Sequence, residues 1–298
     1  MSKYNLLRGA IPAMVTLFNK DYSIAWEDNE KLIKFLIKQN VNGLFILGSA
    51  GEFDHLSIQE RKEFAEFAIA KAEKKCPVLV GVSHTSTDIA IDLAKHAEGI
   101  GADYLVVVSP YYMALSEEAL FAHYKRIALS VNTPIILYNC PPNTGKNMSI
   151  NVIRKLAVEC ENIVGIKETL DNMDHVDCVI NHVKSKKKNF SVLTGMDHCF
   201  LATLVAGGDG VIGGCLNFFP EIGVNLFQAY ESKNYELAIK LQQEYNKIND
   251  IYKILTPPIS VIKEAINLKT SLNISTAVRG PAIPMNNSQK EELKRFFD

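Results

Sequence analysis

Eight short apolar runs punctuate the first 215 residues, and each is separated from the next by a longer segment of helical period. The runs cover 11–17, 43–47, 78–82, 104–108, 135–138, 163–166, 191–193 and 210–212, and they are rich in Val, Ile and Leu with little polar alternation. Strands buried on both faces of a parallel sheet have this character. The intervening segments carry helix signals. Ser57-Ile-Gln-Glu60 is a capping-box pattern ahead of 61–75. Over 88–100, Ile89, Leu93, Ala97 and Ile100 recur at helical spacing, and Gly101-Ala-Asp103 ends that helix and leads into the next run. Asn42-Gly43 and Gly207-Gly-Asp209 repeat the same punctuation, a faint internal βα repeat.

Eight βα units of this size close most naturally into a (β/α)8 barrel, the α/β TIM-barrel architecture. The rival, a doubly wound open sheet, calls for a GxGxxG turn after the first strand, and none is present. Past residue 215 the apolar runs stop, and helices are expected over 220–232, 235–252, 258–267 and 288–297. The expected organisation is a catalytic barrel over 1–220 and a helical extension over 221–298. The basic run Lys184-Ser-Lys-Lys-Lys188 reads as a solvated helix end.

Composition removes several function classes. The chain carries 32 basic and 33 acidic residues, a net charge of −1, so no broad attraction to nucleic acid or an anionic membrane is expected. No apolar run approaches the ~20 residues of a membrane span, and the opening MSKYNLLRGA lacks the pattern of a secretory leader. The six cysteines form no CxxC and read as free thiols of a reducing cytoplasm. The histidines form no HExxH, and no Cys/His spacing suggests a ligand set, so no structural or catalytic metal is expected.

In a barrel the chemistry sits where the strands end at their C-termini. Those ends here read Gly48-Ser-Ala-Gly-Glu52, Ser109-Pro-Tyr-Tyr112, Tyr138-Asn139, Lys167-Glu-Thr169 and Thr194-Gly-Met-Asp197. Lys167 closes an apolar strand, where burial disfavours the ammonium form. It reads either as an amine nucleophile able to form a Schiff base with a ketone, or as a rim lysine that snorkels or pairs with Glu168. Tyr138 ends the neighbouring strand and is either a proton shuttle for that imine or a packed aromatic. The Gly48–Gly51 turn offers backbone N–H groups to a carboxylate or phosphate. Gly207-Gly-Asp-Gly210 and Gly213-Gly214, with no basic residue beside them, read as tight backbone packing.

Taken together, Gly48-Ser-Ala-Gly-Glu52, Ser109-Pro-Tyr-Tyr112, Tyr138-Asn-Cys-Pro141 with Thr144-Gly145, Gly165-Ile-Lys167 and the stretch Pro257-Pro-Ile-Ser-Val-Ile-Lys-Glu-Ala265 give the chain a resemblance to a known family. It resembles the dihydrodipicolinate synthase / N-acetylneuraminate lyase family of pyruvate-dependent class I aldolases over essentially its whole length. The resemblance implies that Lys167 forms the Schiff base with a 2-oxo acid and that Tyr138 is the general acid/base. It implies that Ser49 holds the pyruvate carboxylate and links the tyrosine to solvent, and that Tyr112 is lent across a dimer interface. Ala50, Gly195 and Ile212 would line the substrate, no cofactor would be required, and the assembly would be a tetramer built as a dimer of dimers.

Two departures narrow the branch. Synthases carry Arg where this chain has Asn143, and usually a second hydroxyl residue where Ala50 stands. Gly-Ser-x-Gly-Glu-Phe and Ile-Lys-Glu-Thr are closer to the 2-keto-3-deoxy-gluconate aldolases, and Asn-Thr-Gly is similar to the 4-hydroxy-2-oxoglutarate aldolases. Asp197 and His198 stand where sialic acid lyases contact sugar hydroxyls. The expected activity is cleavage of a 2-keto-3-deoxy sugar acid to pyruvate and an aldehyde. Dihydrodipicolinate synthase, N-acetylneuraminate lyase and 4-hydroxy-2-oxoglutarate aldolase are the rivals within the class. A silent barrel that senses pyruvate or a sugar acid is the rival outside it.

Overall fold

The structure, a computed structural model, describes residues 4–297. The strands are β1 (Gly9–Pro12), β2 (Leu44–Ile46), β3 (Val78–Gly81), β4 (Tyr104–Val108), β5 (Ile135–Asn139), β6 (Ile163–Glu168), β7 (Ser191–Thr194) and β8 (Gly210–Gly213). Between them run α1 (Trp26–Lys38), α2 (Ile58–Ala72), α3 (Thr87–Gly99), α4 (Glu117–Ser130), the single turn α5 (Pro141–Thr144), α6 (Ile150–Glu159), α7 (Met173–Val179) and α8 (Phe200–Val205). Four helices follow, α9 (Pro220–Glu231), α10 (Tyr235–Asn249), α11 (Ile259–Lys269) and α12 (Asn287–Lys294). The strands form one sheet in the order β1-β8-β7-β6-β5-β4-β3-β2, and a parallel bridge between Ala13 and Phe45 joins the ends of that order. The fold is a (β/α)8 barrel. Every strand residue is buried, which is why the strands read as unbroken apolar runs. Among the described residues no helix is long and apolar enough to cross a membrane.

The chain divides into two compact units, 4–9 with 77–212 and 10–76 with 213–297. In the first, parallel ladders connect β3 through β8, and β5 meets β6 with Tyr138 directly opposite Lys167. Gly210 permits the backbone to run very close to Gly9, since a Cβ there would lie 2.1 Å from the Gly9 carbonyl oxygen. The glycines of that turn therefore serve packing. The basic run at 184–188 differs from the solvated helix end expected. Lys184 pairs with buried Asp209 at 2.5 Å, and the Lys187 ammonium donates to the carbonyls of Ala157, Cys160, Glu161 and Ile163. These carbonyls lie at the C-terminal end of α6 and the turn into β6, a site that suits a cation.

In the second unit the capping box is formed: the Ser57 hydroxyl accepts from Glu60 N at 3.2 Å, and the Glu60 carboxylate accepts from Ser57 N at 2.8 Å. The first strand is shorter than the 11–17 run. Beyond Pro12, Val15 N donates to the Asn217 side chain and Leu17 N to the Asn29 side chain, so amides replace the ladder. The same unit buries an ion pair. Lys263 of α11, fully buried, donates to Glu52 at 2.5 Å and to the Ala277 carbonyl at 2.8 Å, above the Phe18 ring. Burial pushes that ammonium down to about 8 against the attraction of Glu52. Glu52 also accepts from Arg279 N, and the Arg279 guanidinium grips Glu60 at 2.5 Å, holding its carboxyl down at about 2. The C-terminal segment is thus fastened to the turn that follows β2.

Candidate active site

Residues alternate sides along a strand. On β6 this sends Lys167 to one face and Glu168 to the other. Lys167 is only 4% exposed, so it does not snorkel, and its ammonium lies 4.3 Å over the Tyr138 ring. Burial pushes it down to about 8, against the opposing pull of Cys140 and Asp197. At mildly alkaline pH a substantial fraction is therefore free amine, the form that attacks a carbonyl.

Glu168 belongs to a different network. Its carboxylate accepts from Asn139 Nδ2 at 2.7 Å and lies 3.5 Å from His175 Nδ1, fully buried, and burial pushes it up. Burial works to lower the His175 imidazolium, but Glu168 overrides it and the net shift is upward. The His175 Nε2 lies 3.0 Å from the Met148 carbonyl. Asn139 completes the network by donating to Asn147 Oδ1 at 2.6 Å and accepting from Met148 N at 3.0 Å. The amide next to Tyr138 and the carboxylate next to Lys167 thus brace both strands and the loop after β5 from behind.

Gly195 lies against the lysine. A Cβ at that position would come within 2.9 Å of Lys167 Cε and 1.9 Å of Thr169 Oγ1. The Thr169 hydroxyl is buried and has no hydrogen-bond partner. A buried unpaired hydroxyl beside a reactive amine is suited to a substrate oxygen. Thr169 was not among the sequence candidates; its position two residues after Lys167, just past the end of β6, was the available signal. Asp197, 2% exposed, bears electrostatically on Lys167. The first unit therefore gathers Tyr138, Lys167, Thr169, Gly195 and Asp197. Ile212, fully buried, lies on β8.

The remaining candidates occupy other ground. Asn143 is exposed on α5, a single turn closed by Gly145 in the left-handed region at φ 71°. The His198 Nε2 lies 3.1 Å from Asp171 Oδ1. Tyr112 is 89% exposed, beside exposed Met113. In the second unit, Ser49 and Ala50 sit half-buried in the turn after β2, where Gly51 N donates to Gly48 O and Glu52 N to Ser49 O.

A barrel whose sixth strand ends in a buried amine of lowered basicity, stacked on a tyrosine of the fifth, defines a class of enzyme that works on carbonyl carbon. The sequence matches the dihydrodipicolinate synthetase family over residues 6–298. It is 39% identical to the putative 2-dehydro-3-deoxy-D-gluconate aldolase YagE of Escherichia coli, covering 100% of this chain and 98% of that protein. It is 36% identical to the probable 2-dehydro-3-deoxy-D-pentonate aldolase YjhH of the same organism, covering 96% and 94%. The crystal structure of YagE in complex with pyruvate superposes with a TM-score of 0.95 over 98% of both chains. Dihydrodipicolinate synthase from Aquifex aeolicus, 30% identical, gives 0.91 over 97% of this chain and 96% of its own. The chain belongs to the dihydrodipicolinate synthetase family, and it is a pyruvate-dependent lyase of the class I aldolase type.

Proposed function

We propose that the protein cleaves a 2-keto-3-deoxy sugar acid, 2-keto-3-deoxy-gluconate in the first instance, to pyruvate and an aldehyde. The observation that carries the reading is Lys167, buried and lowered to about 8, with its ammonium 4.3 Å above the ring of Tyr138. Its amine attacks the C2 carbonyl, and the carbinolamine loses water to give a protonated imine. Tyr138, having given its own proton to the departing water, takes the C4 hydroxyl proton as the C3–C4 bond breaks. The electron pair passes into the iminium to form an enamine, and the aldehyde departs. Protonation at C3 and hydrolysis release pyruvate and restore the lysine.

Ser49, with Ala50 beside it, is assigned the pyruvate carboxylate in this reading. Gly195, Thr169 and Ile212 line the pyruvyl portion. Asn143, Asp197 and His198 face the polyol chain, which calls for donors and acceptors but no counter-charge. The exposure of Tyr112 supports the further reading that a second copy covers it, in a tetramer built as a dimer of dimers. Residues 1–220 serve as the catalytic barrel and 221–298 as its helical extension, in the cytoplasm.

The test is borohydride added together with pyruvate, followed by peptide mass spectrometry. The reduced adduct is expected on Lys167. An adduct on another lysine, or none, overturns the assignment. Pyruvate release from a panel of sugar acids separates a lyase from a barrel that only senses them.

A further inference from the structure

Two consecutive βα turns bring together three side chains that no spacing in the sequence connects. Asp171 follows β6, whereas His198 and Cys199 follow β7. Asp171 Oδ1 lies 3.1 Å from His198 Nε2 and 4.0 Å from Cys199 Sγ, and a ligand atom from each of the three residues lies within 4.8 Å of the other two. Among the described residues no other group of three or more His, Cys, Asp or Glu side chains meets that condition. Cys199 forms the buried floor of the cluster, His198 is half-buried, and the Asp171 carboxylate is 77% exposed toward solvent.

Imidazole nitrogen, thiolate sulfur and carboxylate oxygen together are a set that favours zinc and metals like it, and not magnesium or calcium, which want oxygen alone. In a tetrahedral zinc site with bonds of about 2.0–2.3 Å, neighbouring ligand atoms stand roughly 3.3–3.8 Å apart. The separations seen here straddle that range, so parting Asp171 and His198 slightly and drawing Cys199 in completes the shell. Three protein ligands leave a fourth position to water. We propose that Asp171, His198 and Cys199 form a binding site for a zinc-class divalent ion at the mouth of the barrel, and that its occupancy inhibits turnover. The Cys199 thiol gives its proton to solvent as the sulfur binds.

Inhibition follows from position and rests on the proposed function. Asp197, which bears on Lys167, is the residue immediately before His198, and Thr169 stands two residues before Asp171. An ion joining the two turns fixes both, and it withdraws His198 from the polyol.

The experiment titrates Co2+ into the metal-free full-length protein. A thiolate-to-cobalt charge-transfer band in the near ultraviolet is expected, saturating at one ion per chain and bleached by Zn2+. Cys199→Ser should abolish the band. His198→Gln and Asp171→Asn, the latter at an exposed position with little bearing on folding, should each weaken binding by at least about tenfold. Absence of the band, a band that survives Cys199→Ser, or affinity unmoved in both other variants overturns the site. With a 2-keto-3-deoxy sugar acid as substrate, Zn2+ should suppress pyruvate release and EDTA should restore it; turnover unaffected at saturating Zn2+ overturns the inhibitory role. A metal-free enzyme that releases no pyruvate from any sugar acid counts against the proposed function alone, because the cobalt band is read without substrate.

Discussion

At the scale of single residues, the reactive form of Lys167 is the deprotonated one. Burial lowers its ammonium to about 8, so the free amine fraction grows as pH rises and becomes dominant above that value. The rate of borohydride-trapped adduct formation with pyruvate should therefore climb from the acid side and level off above about 8. A rate still climbing steeply beyond pH 10, as for an ordinary lysine, would show that the amine is not desolvated when it reacts. Tyr138→Phe keeps the ring under the ammonium and removes the proton. The expected loss in kcat is about 10²–10⁴, with thermal stability little changed; a loss below about fivefold would place proton transfer on another group. Gly195→Ala drives a Cβ into the Thr169 hydroxyl and the Lys167 stem. Slower trapping with pyruvate, with the far-ultraviolet circular dichroism unchanged, is the expected signature.

At the scale of elements, legibility followed burial. Strands covered on both faces have to be apolar throughout, so β3 to β8 stood out to within two residues, and the Ser57 cap announced α2. The run at 11–17 overran its strand because Asn217 and Asn29 supply the hydrogen bonds that a neighbouring strand would have supplied. Lys167 and Tyr138 were legible because a polar end on an apolar strand is conspicuous. What escaped depended on partners far away in the chain: the Lys187 cap, the Asn139–Glu168–His175 brace, and the Glu52–Lys263 pair, whose members are 211 residues apart. That last pair makes a stability prediction. Lys263→Met leaves the Glu52 carboxylate buried without its cation, and breaking such a pair costs about 3–5 kcal/mol. Urea denaturation should show the midpoint falling accordingly. An unchanged midpoint would mean that the Arg279 and His55 contacts to Glu52 suffice.

At the scale of the whole molecule, the choice of aldehyde partner turns on Asn143. A synthase would hold the carboxylate of aspartate semialdehyde with Arg where Asn143 stands, and charged hydrogen bonds are worth about 1.5–3 kcal/mol each. Losing a bidentate pair should lower kcat/KM for the semialdehyde by roughly two to four powers of ten. Cleavage of 2-keto-3-deoxy-gluconate should therefore outrun condensation of pyruvate with aspartate semialdehyde on one preparation. The reverse order would return the enzyme to the synthase branch and require another cation in place of the missing Arg. The proposed assembly carries its own expectation: if Tyr112 is lent between copies of a tetramer, dilution through dissociation should lower specific activity. Specific activity independent of concentration while sedimentation shows dissociation would remove Tyr112 from the relay.

The pairing of Tyr138 with Lys167 across the β5–β6 ladder has a consequence for descent. A one-residue slip in either strand turns its side chain to the opposite face, so the amine and the phenol stay paired only while both strands hold their register. Asn143 and His198 lie beyond the strand ends, where substitutions and changes of length leave that ladder untouched. Copies of such a gene can therefore part ways over what they cleave long before they part ways over how they cleave it.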